Sequence, residues 1–182
     1  MTALTQRIHT DHVNIIRLLD LLDAQVGLFH RGKAPDYNLM LDIMHYMMNY
    51  PDIAHHTVEE IIFEKISALR PQLKKQAGLI TEQHKELAEK AHHFSDDLEA
   101  IVAGDTIMSR DRIEQQARYY TTLLREHLRQ EEADLLPAVE QEMSERDLLE
   151  IEQNTPDIAD PLANNQLLQK YETLFRHITS ES

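Results

Sequence analysis

A shift of 72 residues lays this chain on itself: Ile8 falls on Ile80, His12 on His84, Gly32 on Gly104, His55 on His127 and Glu59 on Glu131. A repeat of that length describes one supersecondary unit used twice. The unit reads as a helical hairpin. Apolar residues recur at helical spacing up to the glycine, which supplies a C-terminal stop, and a second apolar-periodic stretch carries the His/Glu pair.

The periodicity predicts four long helices. The first covers Leu4 to Arg31, with Ile8, Ile15, Ile16, Leu19, Leu22, Val26 and Phe29 on its inner face, and ends at Gly32. The second starts at an Asp36 N-cap and reaches about Leu69, with Leu41, Met44, Met48, Ile62, Phe63 and Ile66 inside. Pro51 lies within it, so a kink is expected one turn before His55. The third runs from Pro71 through Ile80, Leu87, Ala91, Phe94, Leu98 and Ile101 to Gly104. Ser109 caps the fourth, which reaches roughly Met143 with Ile113, Tyr120, Leu124, Leu135 and Ala138 inside. Short connections make residues 1–143 an all-α, up-down-up-down four-helix bundle. Residues 144–182 read as a helical appendage: Ser144-Glu145-Arg146-Asp147 resembles a capping box, and Asp160-Pro161 opens a further helix with Leu167, Leu168, Tyr171, Leu174 and Phe175.

The chemistry sits in His55-His56-Thr57-Val58-Glu59-Glu60 and its simpler copy, His127 to Glu132. Residues four apart share a helix face, so each stretch offers an imidazole and a carboxylate to one point. A single such pair is commonplace on a solvated face; two in matching context are a ligand pattern. In the first stretch both His55/Glu59 and His56/Glu60 have the spacing, and only the former matches His127/Glu131. With the lone His12 and His84, the constellation is His12, His55, Glu59, His84, His127 and Glu131, a pseudo-symmetric site for two metal ions in the bundle interior. An unpaired buried carboxylate costs several kcal/mol, which argues for occupation by metal. Mixed imidazole and carboxylate donors suit iron, with zinc and manganese as alternatives. If each Glu bridges, there is room for an oxo or hydroxo bridge and an exogenous small molecule.

Outside these six, His56, His9, Tyr46 and Tyr120 are candidates to hydrogen-bond the ligands from behind; the competing readings are surface placement for His9 and core packing for the tyrosines. His45 has the same two readings, and His92 and His93 read as solvated. Glu89 and His92 form a single ligand-like pair where a ferritin-type site needs two. Met40, Met44, Met47 and Met48 read as an apolar wall that keeps the pocket dry.

Composition removes other classes. The absence of cysteine excludes disulfides, thiolate chemistry and Cys-ligated zinc or iron-sulfur sites. A formal charge of −14 argues against nucleic acid or an anionic membrane as partner. The first residues lack a basic-then-apolar signal pattern, and no apolar run is long enough to span a bilayer, so a cytoplasmic protein is expected.

Over about residues 5–140 the chain resembles the hemerythrin-like, HHE cation-binding family. The resemblance rests on Asp11-His12, Tyr50-Pro51-Asp52 leading into His55-His56 and Glu59, Gln83-His84-Lys85-Glu86, and His127 with Glu131-Glu132 closing on Leu135-Leu136-Pro137. It implies a four-helix bundle with a non-haem di-iron centre and carries ligand roles to the same six residues. Oxygen-carrying members have a further His one turn after the ligand matching His84, where this chain has Ala88. They also have an Asp five residues after the ligand matching His127, where it has Glu132. Four His and two Glu look more like the members linked to repair of damaged iron-sulfur clusters, which often carry a cysteine-containing N-terminal segment that is absent here. The expected function is binding of oxygen, nitric oxide or peroxide for sensing, storage or stress defence. The alternatives are a di-iron oxidase, peroxidase or nitric oxide reductase fed by a redox partner, and an iron-responsive interaction module.

Overall fold

Caps and glycines punctuate the helices. The computed structural model describes residues 2–155 together with Leu174 and Arg176. Among them the chain is helix and turn throughout, with no strand. Helix α1 (Ala3–Val26) opens on a capping box in which the Thr2 and Thr5 side chains each bond the other's backbone N–H. The α-helix stops at Val26, short of the expected Arg31, and a 3₁₀ turn at Phe29–Arg31 closes onto Gly32 at φ 69°. Helix α4 (Lys74–Ala103) ends on Gly104 at φ 79°; both glycines occupy the left-handed region where a side chain would be strained. The Asp36 and Ser109 side chains accept from Leu39 N–H and Arg112 N–H at the starts of α2 (Tyr37–Asn49) and α5 (Arg110–Gln130).

The second and fourth predicted helices are each interrupted by one wide π-helical turn. Pro51–His55 separates α2 from α3 (His56–Leu69), and Glu131–Leu135 separates α5 from α6 (Leu136–Glu142). Pro51 has no N–H and its ring crowds the preceding turn; the backbone widens, and His56 N–H bonds the carbonyl of Pro51, five residues back. Ahead of Pro137, Leu136 N–H reaches Glu131 O in the same way.

A wide turn adds about one residue to the helical register, and this corrects the inner face derived from uniform periodicity. Met40, Ile43 and Met47 are fully buried, whereas Leu41 and Met48 are only partly so. Beyond the second wide turn Val139 takes the core place expected for Ala138. In α1 Ile16 is 38% exposed and Leu18 is buried instead.

Helix α2 packs on α4, α1 on α5, α3 on α4 and α4 on α5. The core falls into two apolar clusters, one running from Ile15 and Leu22 through Met40, Met44, Leu87 and Phe94 to Leu124 and Leu128, the other holding Ile8, Ile62, Phe63, Ile66, Ile80, Leu135 and Val139. The change from one to the other falls at His12, His55, His84 and Glu131. The expected capping box at Ser144 and Asp147 opens α7 (Glu145–Asn154), whose Leu148 and Ile151 join the second cluster. The helix expected from Asp160-Pro161 lies outside the described residues, apart from Leu174, which is helical and buried in the first cluster. Among the described residues no helix is long and apolar enough to cross a membrane.

Candidate metal centre

Between the two apolar clusters lies a layer of buried imidazoles and carboxylates. His12, His55, Glu59, His84, His127 and Glu131 are all at most 4% exposed, with Glu59, His127 and Glu131 at 0%. The i, i+4 spacing of His55 with Glu59 and of His127 with Glu131 brings Nε2 of each histidine to 3.2 and 3.3 Å from its partner carboxylate. Glu59 Oε1 also lies 3.3 Å from His12 Nε2, while Oε2 faces His84 Nε2 at 3.6 Å. Glu131 spans the same gap, with Oε2 3.4 Å from His12 and Oε1 3.6 Å from His84. Each carboxylate therefore reaches histidines of both hairpins. Two donors bound at roughly 2.1 Å to one ion stand about 3 Å apart, which is the spacing seen.

The imidazoles are held from behind. Nδ1 of His12 donates to Glu132 at 2.7 Å and that of His55 to Asp11 at 3.1 Å. Nδ1 of His127 donates to Gln83 at 3.2 Å and that of His84 to Glu60 at 3.4 Å. An acceptor on Nδ1 fixes the tautomer, leaving Nε2 to face the centre, as metal-ligating histidines require. The repeat extends to these holders: the 72-residue shift carries Asp11 onto Gln83 and Glu60 onto Glu132. Periodicity alone did not single out these four, although the repeat aligns them.

Among the candidate helpers, His9 bonds the Glu132 carboxylate at 3.0 Å and so stands behind His12. Tyr46 is fully buried and its ring leans on Tyr50, whose hydroxyl donates to Asp11 at 2.9 Å. Tyr120 is buried in the first apolar cluster, where burial and the charge of Asp52 hold its phenol well above the usual range. His45 pairs with Glu99 near the surface, and His93 faces Glu89 in the open. His56, which the repeat leaves as a mere neighbour, is 4% exposed and stacks on His84 with ring centroids 4.0 Å apart and planes 9° apart. A depression of about 190 Å³ lined by Asp52, His56, Glu60, His84, Lys85 and Ala88 opens beside this stack.

Side chains this crowded cannot all be charged. Burial pushes the His84 and His127 imidazoles down to about 2 and about 3, so both keep free lone pairs at neutral pH. Burial works the same way on His12, but hydrogen bonds to Glu132 and Glu59 and the charges of Glu59 and Glu131 carry it up to about 10. Burial also opposes ionisation of Glu59, yet His55, His12 and His84 hold it well below the usual carboxylate range. Glu131 goes the other way, pushed well above that range by burial and by the charge of Glu59.

The donor set fits a metal on an independent count. Of nine buried side-chain polar atoms without a hydrogen-bond partner among the described residues, six belong to this cluster: Glu59 Oε2, Nε2 of His56, His84 and His127, and both oxygens of Glu131. Each such atom costs about 1–3 kcal/mol if left alone, and together they would rival the roughly 5–15 kcal/mol stability of a domain. Two overlapping groups have donor atoms within 4.8 Å of one another: His56, Glu59, His84 and His127; and His12, His55 and Glu59.

The hemerythrin HHE cation-binding domain model matches residues 3–139, which is most of the chain and includes every residue of the layer. The chain belongs to the hemerythrin HHE cation-binding family. Comparison with curated proteins and with solved structures found no match.

Proposed function

We propose that this chain is a non-haem di-iron protein that binds oxygen, nitric oxide or peroxide and serves sensing, storage or defence against oxidative or nitrosative stress. The observation that carries this reading is the shared use of Glu59 and Glu131, each of which faces imidazoles from both hairpins. In this reading residues 1–143 form an up-down-up-down bundle, His12, His55, Glu59, His84, His127 and Glu131 hold the ions, and residues 144–182 are an appendage. Iron would supply one-electron chemistry and exchangeable positions for a small neutral molecule.

The protein's own part is preorganisation and exclusion of water. Asp11, Glu60, Gln83 and Glu132 lock the four imidazoles, so little reorganisation is needed on loading. The buried Met40, Met44, Met47, Leu87 and Leu124 cluster on one side of the layer and Ile8, Ile62 and Ile80 on the other keep it dry. His12 and Glu131 give up their protons to ligate, which couples metal uptake to pH.

The test is anaerobic loading with ferrous iron followed by exposure to oxygen. Two irons per chain and a new charge-transfer absorption are expected. Less than one iron per chain with no spectral change would sink the reading. Sustained consumption of peroxide or nitric oxide with an added reductant, abolished by Glu59→Ala, would assign turnover instead of binding.

A further inference from the structure

Apolar clusters close the buried layer at both ends of the bundle, so an ion reaches it from the side. Of the six His and Glu residues in the layer, His84 alone lines one of the described cavities, the depression of about 190 Å³ beside the His56 stack. The repeat shows that this opening belongs to one side. Asp52, His56, Lys85 and Ala88 line it, and the 72-residue shift lays them on Leu124, Leu128, Val13 and Ile16. The equivalent place beside His12 is therefore furnished with four apolar side chains, two of them buried leucines of the core.

Packing alone gives no reason for the polar exchange beside His84. His56 is 4% exposed and its Nε2 has no hydrogen-bond partner among the described residues; Asp52, whose other carboxylate oxygen lies 3.4 Å from His56 Nδ1, has its Oδ2 buried without one too. Each such atom costs about 1–3 kcal/mol. An ion held by His84 does not relieve His56. An imidazole binds metal through a lone pair in the plane of its ring, and the two rings lie parallel at 9° with centroids 4.0 Å apart, so one ion cannot take Nε2 of both. An unpaired carboxylate oxygen and an imidazole nitrogen along an opening suit a hydrated cation in transit, because they replace the water it sheds on leaving solvent. Glu60, half-exposed and 3.4 Å from His84 Nδ1, adds a second carboxylate at the rim. The formal charge of −14 draws cations towards the chain.

We propose that this depression is the port through which a divalent cation enters the buried layer, with Asp52 and Glu60 as its acidic rim and His56 as its inner wall. The port rests on the metal-binding reading above. Ala88 keeps it open, because the small side chain leaves free the space that Ile16 takes at the equivalent place.

Stopped-flow absorption of the full-length chain with cobalt(II) provides the test, with release read by transfer to excess chelator. A port changes the barrier between two end states and leaves the end states alone, so blocking it slows uptake and release by the same factor. Ala88→Phe is expected to slow both about tenfold or more, an added barrier of about 1.4 kcal/mol or more, with the affinity and the number of ions bound unchanged. Ile16→Phe, the matching change beside His12, is expected to alter neither rate. Lys85→Glu, at an exposed position on the rim, is expected to speed uptake severalfold at low salt, with the gain fading as salt is added; this result does not depend on the folding of the phenylalanine variant. Uptake by Ala88→Phe at the wild-type rate, slowing equal to that in Ile16→Phe, or slower uptake with unchanged release and weaker affinity would each overturn the port. So would a Lys85→Glu rate equal to wild type at every salt concentration. A wild type that takes up no cobalt overturns the metal centre itself, and the port with it.

Discussion

The two hairpins place identical donors at equivalent positions, yet their carboxylates behave in opposite ways. Glu59 is held ionised by His55, His12 and His84, whereas Glu131 is pushed towards its protonated form by burial and by Glu59 itself. Two carboxylates in one dry layer cannot both ionise without a cation between them. The difference follows from the neighbours. Glu59 lies within 3.3 Å of both His12 and His55, which stand only 3.1 Å apart through their Nε2 atoms. Both oxygens of Glu131 lack hydrogen-bond partners. A cation bound between them would restore the equality that the repeat implies, by supplying positive charge to both carboxylates.

This contrast can be broken by substitution. In metal-free protein, Glu59→Gln leaves the His12 imidazolium without its main buried counter-charge and is expected to cost about 3–5 kcal/mol. Glu131→Gln replaces a carboxyl that is already neutral and is expected to stay within about 1 kcal/mol of wild type. Urea denaturation with chelator present measures both, and equal losses would show that the two carboxylates share one charge state.

Loading with metal is expected to stabilise the fold by about 2.7 kcal/mol when free metal is a hundredfold above the dissociation constant. It should also change the response to pH. Without metal, His12 is raised from 6.5 to about 10, so its contribution is complete below pH 6.5 and fades as pH rises towards 10. His84 and His127 are lowered from 6.5 to about 2 and about 3, so their contribution is complete above pH 6.5 and fades as pH falls. Melting temperature should therefore peak near pH 6.5. Bound metal removes the need for a proton on His12, so the alkaline decline should flatten in thermal scans of loaded protein.

The holders offer a finer comparison. Asp11→Ala, which frees the His55 ring, is expected to weaken metal binding by about 10–100-fold. Gln83→Ala, the equivalent change behind His127, removes a neutral acceptor and should cost less. Competition titration against a chromophoric chelator reads both, and the reverse order would show that the charge of Asp11 adds nothing. The smallest contrast is a null one. Gly32→Ala and Gly104→Ala meet open space but keep φ of 69° and 79°, so each is expected to lose about 1–2 kcal/mol, by equal amounts in chemical denaturation.

The His and Glu residues of the buried layer were legible in the chain because helical geometry is local. A His and a Glu four residues apart share a face whatever surrounds them, and the repeat chose His55/Glu59 over His56/Glu60 as the matched pair and marked Gly32 and Gly104 as equivalent stops. Helix starts at Asp36, Ser109 and Ser144 were equally local, since a cap needs only a side-chain oxygen and a backbone N–H three residues on. What periodicity could not supply was the pair of wide turns at Pro51–His55 and Glu131–Leu135. Each adds about a residue to the register, replacing Leu41 and Met48 by Met40 and Met47 in the core, and Ala138 by Val139.

The sequence by itself determined an all-helical chain, a twice-used hairpin and the six His and Glu residues that come together in the buried layer, because spacing along a helix sets which side chains share a face. Only the tertiary structure decided the holders Asp11, Glu60, Gln83 and Glu132, the unequal charges of Glu59 and Glu131, and the place of His56 against His84. Those depend on distances between helices, where burial removes water and leaves each group's charge and tautomer to be set by side chains far away in the chain.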